Sequence, residues 1–446
     1  MTKPAGIIAK VVDVARSVAA SVAGLSSSRR GNVAVGFGLA VVPMVGLLGA
    51  AVDYSWVKGQ NARLNAAADS AALTAVGVQA RMLTAKDAQD RATKTFVANL
   101  SDDPSLTVNS YSVDVKDVGI ERSVTVKYSA TYKTSFMRLY GYGTLEISGV
   151  ASARGPLAPY IDFYVMLDNT PSMGLGATTA DIDTLVANTS DKCAFACHQM
   201  DMPGSDYYAL AKKLKVQTRI DVVRSATQSL MDTAQSTQIR TSQFRMAIYS
   251  FGDKAESAGL KNIFSLSSNL SSAKSAANAL DLMTIPYSNY RGDTQTDFDT
   301  AFGKMNGEIS TPGDGSTSSK PQKILFFVSD GTNDANKSIC SKTPTLSTDG
   351  QTGKIYERCQ EPLNPALCKT IKDSGTKIAV LYTTYFPLPT NDWYNTWIKP
   401  FQPDIATNMK TCASEGLFFE VSPSQGITDA MNALFLKSVN QVSLTK

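Results

Sequence analysis

Three short clusters in the C-terminal part of the chain concentrate oxygen-bearing side chains. Asp168-Asn169-Thr170-Pro171-Ser172-Met173-Gly174 follows the apolar run IDFYVML. Gly292-Asp293-Thr294-Gln295-Thr296 precedes a helical stretch, and Asp330-Gly331 follows KILFFVS. Carboxylates and hydroxyls are hard oxygen donors that suit Mg²⁺, Mn²⁺ or Ca²⁺. A set of two carboxylates and a few hydroxyls leaves such a cation partly unsatisfied, so that water or an acidic side chain of another protein completes the octahedron. Each cluster alone also has a plain reading: D-x-T-x-S often caps a helix, and VSDG often makes a turn. Asp293, Asp297 and Asp299 read as solvated or capping groups.

The three clusters together, in this order, resemble the metal-ion-dependent adhesion site of von Willebrand factor A domains. That site has a D-x-S/T-x-S loop, a threonine in a G-x-T loop and an aspartate after a buried strand. Carried over position by position, the resemblance implies Asp168, Thr170, Ser172, Thr294 and Asp330 as ligands. It implies Mg²⁺ as the first cofactor to test, with Ca²⁺ or Mn²⁺ as alternatives, and a protein partner that supplies an acidic side chain. An enzyme reading competes. Asp168-Asn169-Thr170 resembles the phosphoaspartyl start of haloacid dehalogenase-like hydrolases, but the second carboxylate is missing and no proton shuttle stands at that spacing. The chain has no G-x-S-x-G, no Walker loop and a single histidine. The expectation is therefore a binding protein rather than an enzyme.

The elements that must hold these clusters read as α/β. IDFYVML, FRMAIYSFG, KILFFVSDG, TKIAVLYTTYF and GLFFEVS are strands, and IDVVRSATQSLMDTA, LSSAKSAANALDLM and ITDAMNALFLKSVNQ are helices. Strands apolar throughout that alternate with helices imply a mostly parallel sheet covered on both faces, with ligands beyond the carboxyl ends of its strands. The expected domain covers residues 159–446, with insertions near 177–215 and 334–370 rising from the metal-bearing face. All six cysteines fall there: Cys193, Cys197, Cys340, Cys359, Cys368 and Cys412. An even count on the exported side of a membrane favours disulfides. The pairing we expect is Cys193–Cys197, Cys340–Cys359 and Cys368–Cys412. Cys193-Ala-Phe-Ala-Cys197-His198 is one residue longer than a haem attachment motif and lacks a visible fourth ligand for zinc.

Ahead of this domain the chain changes character. The run from Val33 to Val52 is uncharged. At about 1.5 Å per residue its 20 residues span a hydrocarbon core. Residues 1–32 carry Lys3, Lys10, Arg16, Arg29 and Arg30 against Asp13, which accounts for the whole formal excess of +4. The rest is charge-balanced, which argues against a nucleic-acid partner. The positive-inside rule places the tail in the cytoplasm and residues 53–446 outside. Ile7, Val11, Val14, Val18, Val22 and Leu25 fit either an amphipathic helix on the inner face or a weakly ordered tail. A cleaved signal peptide ending near Gly49-Ala50-Ala51 competes with the anchor, although its core would be unusually long. Gly36–Ala40 and Gly46–Ala50 have spacing that permits helix–helix contact.

Residues 53–158 read as a helical stalk over 57–100 and then a small antiparallel sheet built from YSVDVKDV, RSVTVKYSATY and TLEISGVASA. Arg30-Gly31-Asn32-Val33-Ala34-Val35, Pro43, GAAVDY and LNAAADSAALTA resemble the N-terminal region of TadG-type proteins of the bacterial Tad (Flp pilus) apparatus. The resemblance covers about residues 29–80. It implies a single-pass inner-membrane protein that works with other Tad pilus components in assembly or anchoring. Pilins proper carry a glutamate where this chain has Gly36, so the resemblance implies a stationary component rather than a polymerising subunit. An exported metal-dependent adhesin, should the N-terminus be cleaved, is the alternative.

Overall fold

The computed structural model describes residues 32–385, 387–388, 391–422 and 426–442. The expected tail helix and its basic residues lie outside them. The chain forms two compact units, Met1–Pro156 and Leu157–Lys446.

The first unit starts with one helix, α1 (Asn32–Val76), followed by α2 (Ala85–Ala98). Three antiparallel strands come next: β1 (Leu106–Val118), β2 (Glu121–Lys133) and β3 (Thr144–Pro156), in that order across the sheet. From Val33 to Leu48 the large side chains of α1 are exposed, as a membrane-spanning segment requires. From Asp53 onward a buried stripe appears: Val57, Gln60, Leu64, Ala67, Ala71 and Ala75. Their spacing of three and four residues makes a narrow face, and small side chains let it sit close to the sheet and to Ala88, Ala92 and Phe96 of α2. The stalk is two stacked helices. Thr84 restarts the helix as an N-cap, accepting the Asp87 N–H at 3.1 Å. Arg122, buried on β2, ties the sheet to this helix connection. It donates to Asp117 at 2.7 and 2.8 Å and to the carbonyls of Ala80 and Leu83 at 2.9 and 2.8 Å.

The second unit has the expected α/β architecture, whose central sheet has six strands. They are β4 (Ile161–Leu167), β6 (Phe244–Ser250), β7 (Lys261–Ser267), β9 (Gln322–Ser329), β13 (Lys377–Thr383) and β14 (Phe418–Val421). The order is β14-β13-β9-β4-β6-β7, all parallel except β7. The chain goes from β4 to one side first and returns to the other side with β9, so strand order reverses between β4 and β9. That is the switch point where such sheets bind ligands. The two strands are wholly buried, as a central parallel position demands. Helices α5 (Arg219–Thr237), α6 (Leu270–Ala277), α7 (Phe298–Glu308), α8 (Pro365–Asp373), α9 (Gln402–Cys412) and α10 (Ile427–Val442) flank the sheet.

Two excursions lie on the carboxyl-end side. Between β4 and α5 the chain forms α3 (Thr179–Asn188), a short strand β5 (His198–Gln199) that pairs with β8 (Thr284–Ile285), and α4 (Tyr207–Lys213). After β9 comes an antiparallel sheet of β10 (Thr332–Asn336), β11 (Thr345–Thr348) and β12 (Ile355–Pro362).

Cys340 is bonded to Cys359 and Cys368 to Cys412. The bridge expected between Cys193 and Cys197 is not formed, and both stand as free thiols. Backbone pairing does the stapling there instead: Leu175 bridges to Phe195, and the Ala196 N–H donates to the Gly174 carbonyl at 2.9 Å. The Cys193 Sγ is turned onto its own loop and accepts the Phe195 N–H at 3.4 Å.

Candidate metal centre

Asp168 is the first residue beyond β4, and its N–H still donates to the Val328 carbonyl of β9 at 2.9 Å. Asp330 is the first residue beyond β9. The strand register therefore sets these two carboxylates side by side at the switch point, and both are fully buried. Asp168 Oδ1 accepts the Thr170 N–H at 3.0 Å and the Thr170 hydroxyl at 2.7 Å. Its Oδ2 accepts the Ser329 hydroxyl at 2.6 Å across the strands. Thr170 Oγ1 lies 3.4 Å from Ser172 Oγ, and the Ser172 hydroxyl is within hydrogen-bonding reach of Asp330. Asp168, Thr170, Ser172 and Asp330 thus form one cluster. Asn169 serves the scaffold: its amide donates to the carbonyls of Gly252 and Asp281 at 2.6 and 3.0 Å and accepts the Phe251 N–H at 3.0 Å.

Thr294 is not brought into this cluster. Residues 289–293 form a tight turn in which Asn289, Arg291, Gly292 and Asp293 all have positive φ. The turn folds Thr294 back so that its hydroxyl donates to the Arg291 carbonyl at 2.8 Å. Three residues of this loop line the same cavity as Ser172, namely Asp293, Gln295 and Thr296, and of these Thr296 carries the hydroxyl. It is held by paired backbone hydrogen bonds with Asp334 of β10, both 2.9 Å. Two threonines at i and i+2 in Thr294-Gln295-Thr296 offered both hydroxyls, and only the turn chooses between them.

Sequence reasoning missed Arg219. It sits at the start of α5, capped by Thr218 with Asp221, and its side chain is fully buried. One arm donates to Asp330 Oδ2 at 3.3 Å and another to the Thr384 carbonyl at 3.0 Å. Its guanidinium carbon lies 5.5 Å from the centre of the Tyr385 ring. A cation in the first turn of a helix opposes the helix dipole. That local conflict was the available signal that an acidic partner waits opposite. Burial, with Asp330 nearby, pushes Asp168 up to about 6. Burial also raises Asp330 despite Arg219.

The donor set fits a divalent cation. When both carboxylates are ionised, two negative charges face one positive side chain in a buried site, which leaves it short of positive charge. All the donors are hard oxygens. Beside them opens a cavity of about 270 Å³, lined among others by Ser172, Thr296, Thr332, Asp334, Arg358 and Trp393. Thr332 Oγ1 is buried there with no hydrogen-bond partner, a further oxygen available to a ligand. Arg358 is paired with Asp334 at 2.6 Å and with Asp293 at 3.6 Å, so one positive side chain in that wall faces two carboxylates. The thiols of Cys193 and Cys197 line the cavity as well, and burial raises both, which makes them poor nucleophiles. Among the described residues no three His, Cys, Asp or Glu side chains are grouped as a metal site, so Cys193, Cys197 and His198 do not assemble a zinc set.

Residues 31–82 match the family described as putative Flp pilus-assembly TadE/G-like. No curated protein matches the chain. Solved structures similar to it include the von Willebrand factor domain of the type V pili tip protein Mfa5 from Porphyromonas gingivalis. That likeness has 10% identity and a TM-score of 0.37, and covers 65% of this chain and 98% of that one. The three N-terminal domains of the same tip protein align with 11% identity and a TM-score of 0.31, covering 73% and 55%. An uncharacterised membrane-spanning protein from Vibrio fischeri aligns with 13% identity and a TM-score of 0.18, covering 61% and 96%.

Proposed function

We propose that this chain is a non-enzymatic, membrane-anchored component of a Tad pilus apparatus that binds a partner protein through a divalent cation. Residues 33–52 cross the bacterial inner membrane with the tail in the cytoplasm, and the second unit stands on the far side. The observation that carries the binding reading is the pair of buried carboxylates, Asp168 and Asp330, on adjacent strand ends at the switch point. Asp168, Thr170, Ser172 and Asp330 would hold the cation, with Thr296 rather than Thr294 as the hydroxyl from the third loop. The bound cation, Mg²⁺ first among the candidates, supplies an open coordination position for an acidic side chain of the partner. Ser329 and the Thr170 N–H orient Asp168 for this, and Asn169 fixes the loop that carries Thr170 and Ser172.

The test is titration calorimetry of the chain with Mg²⁺, Mn²⁺ and Ca²⁺, repeated on Asp168→Ala and Asp330→Ala, followed by a count of pili in cells carrying each variant. Loss of cation binding with loss of pili supports the proposal. Undiminished binding in both variants ends it. Arg219 favours a second reading, in which its guanidinium serves as the only counter-ion and the domain is a spacer. That reading expects no cation heat in the wild-type protein and normal piliation in Asp168→Asn.

A further inference from the structure

The turn between β2 and β3 packs against α1. Residues 134–143 leave the sheet and pack along α1 on the N-terminal side of Asp53, beside the segment read above as the membrane span. Two glycines of α1 provide the seats. A side chain at Gly49 would come within 2.5 Å of the Phe136 Cβ, and Gly46 lies directly against the Tyr140 ring. The Tyr140 hydroxyl donates to the Val42 carbonyl at 3.1 Å. Gly46, which the spacing offered to a neighbouring helix, thus lies where this turn docks. Gly46 is seven residues before Asp53, about 10 Å along the helix axis. If residues 33–52 cross the bilayer, the turn is submerged by about that depth.

The turn is chemically fit for such a place. Hydrocarbon tolerates irregular backbone only where its polar groups are satisfied within the protein. The Asp53 carboxylate, itself buried, accepts the N–H groups of Ser135, Phe136 and Met137 at 3.0, 2.8 and 2.7 Å. The N–H groups of Leu139, Gly141 and Tyr142 donate to carbonyls of the turn itself, each at 3.1 Å. Two large apolar side chains point outward beside the exposed Ser135 and Arg138: Leu139 is 77% exposed and Phe136 42%. Val42 and Val45 of α1 line one shallow apolar groove with Phe136, Leu139 and Tyr140. Nothing in an aqueous setting stabilises that exposure, and acyl chains would. Exposed Arg138 has a stem long enough to reach the headgroup phosphates.

From these observations we infer that Phe136, Leu139 and Tyr140 form a second membrane contact, embedded in the acyl chains of the outer leaflet and clamped to the span by Asp53. The inference rests on the reading of residues 33–52 as a membrane span. It assigns the small sheet a fixed seat on the bilayer surface, where a single helix alone would leave it free to tilt.

Fluorescence quenching by lipids brominated in the acyl chain tests it. The full chain is reconstituted in vesicles in a Trp56→Phe background, and Leu139→Trp is compared with Leu48→Trp, an exposed position inside the span. Brominated lipid is expected to remove most of the added emission in both. Adding Gly49→Leu, which fills the seat of Phe136, is expected to relieve the quenching of the Leu139→Trp signal alone. Quenching of Leu48→Trp without quenching of Leu139→Trp overturns the inference while the span stands. Absence of quenching in both removes the span and the inference with it.

Discussion

Asp168 and Asp330 share one positive side chain between them, and the chemistry of the second unit follows from that shortage. With its folded-state value near 6 against an ordinary 3.8, Asp168 holds a proton in the folded protein that the unfolded chain has already released. The stability this group contributes is therefore complete below about pH 4 and is lost as pH rises through about 6. In chelator, the melting temperature of the wild-type protein should fall across that window more steeply than that of Asp168→Asn, and Mg²⁺ should flatten the fall. Equal slopes with and without the substitution would contradict the assignment. Arg219 competes with any cation for Asp330, so Arg219→Gln should tighten Mg²⁺ binding measured by calorimetry, provided the variant still melts cooperatively. Asp168, Thr170, Ser172 and Asp330 were legible through the resemblance of their clusters to a metal-ion-dependent adhesion site, since each cluster is a short local motif at a strand end. Arg219 and Thr296 were not, because one arrives from a helix 111 positions before Asp330 and the other is selected by a strained turn.

Elements are held by a few cross-ties whose removal has calculable effects. The Cys368–Cys412 bridge closes 44 residues between α8 and α9, and the chain-entropy relation gives about 4 kcal/mol for a loop of that length. Cys340–Cys359 closes 19 residues and gives about 3 kcal/mol. Reduction should lower the denaturation midpoint of the second unit, and Cys193→Ser with Cys197→Ser should leave that response unchanged. In the first unit, Arg122→Ala strips the Asp117 ion pair and two buried carbonyls of their partner. It should cost about 3 kcal/mol, read as a shift in the unfolding midpoint of that unit. The strands and helices themselves were readable from period and capping residues. The break of the stalk into two helices is a capping event at Thr84, whereas Cys193 and Cys197 stay free thiols in a loop whose backbone pairs with Gly174 and Leu175, which no spacing rule reveals.

At the level of the whole molecule, α1 joins a membrane segment to the core of the first unit without interruption: exposed apolar residues up to Leu48, then a buried stripe from Asp53. The proposed orientation places every cysteine outside the cytoplasm. Protease added to spheroplasts should therefore cleave residues of the second unit, and a tag fused before residue 32 should survive until the membrane is permeabilised. Protection of the second unit instead would reverse the orientation. Residues 33–446 are charge-balanced, so the proposed partner binding would depend on local features such as the buried carboxylate pair and the cavity beside it rather than on net charge.

Apolar periodicity, the uncharged run before Asp53 and the three oxygen-rich clusters were enough, read from the sequence alone, to point to an α/β protein with an N-terminal apolar span and a candidate cation site. Each run and each cluster depends on residues within a turn or a strand of one another, and the resemblance to a known adhesion site joined the clusters into one candidate. Only the tertiary structure decided which hydroxyl faces the cavity, which arginine neutralises Asp330, that Cys193 and Cys197 stay unpaired, and that Gly49 and Gly46 seat Phe136 and Tyr140. Arg219 and Asp330 stand 111 positions apart and Tyr140 and Val42 98 apart, and each pair meets across packed surfaces. Their geometry exists only after the elements have come together.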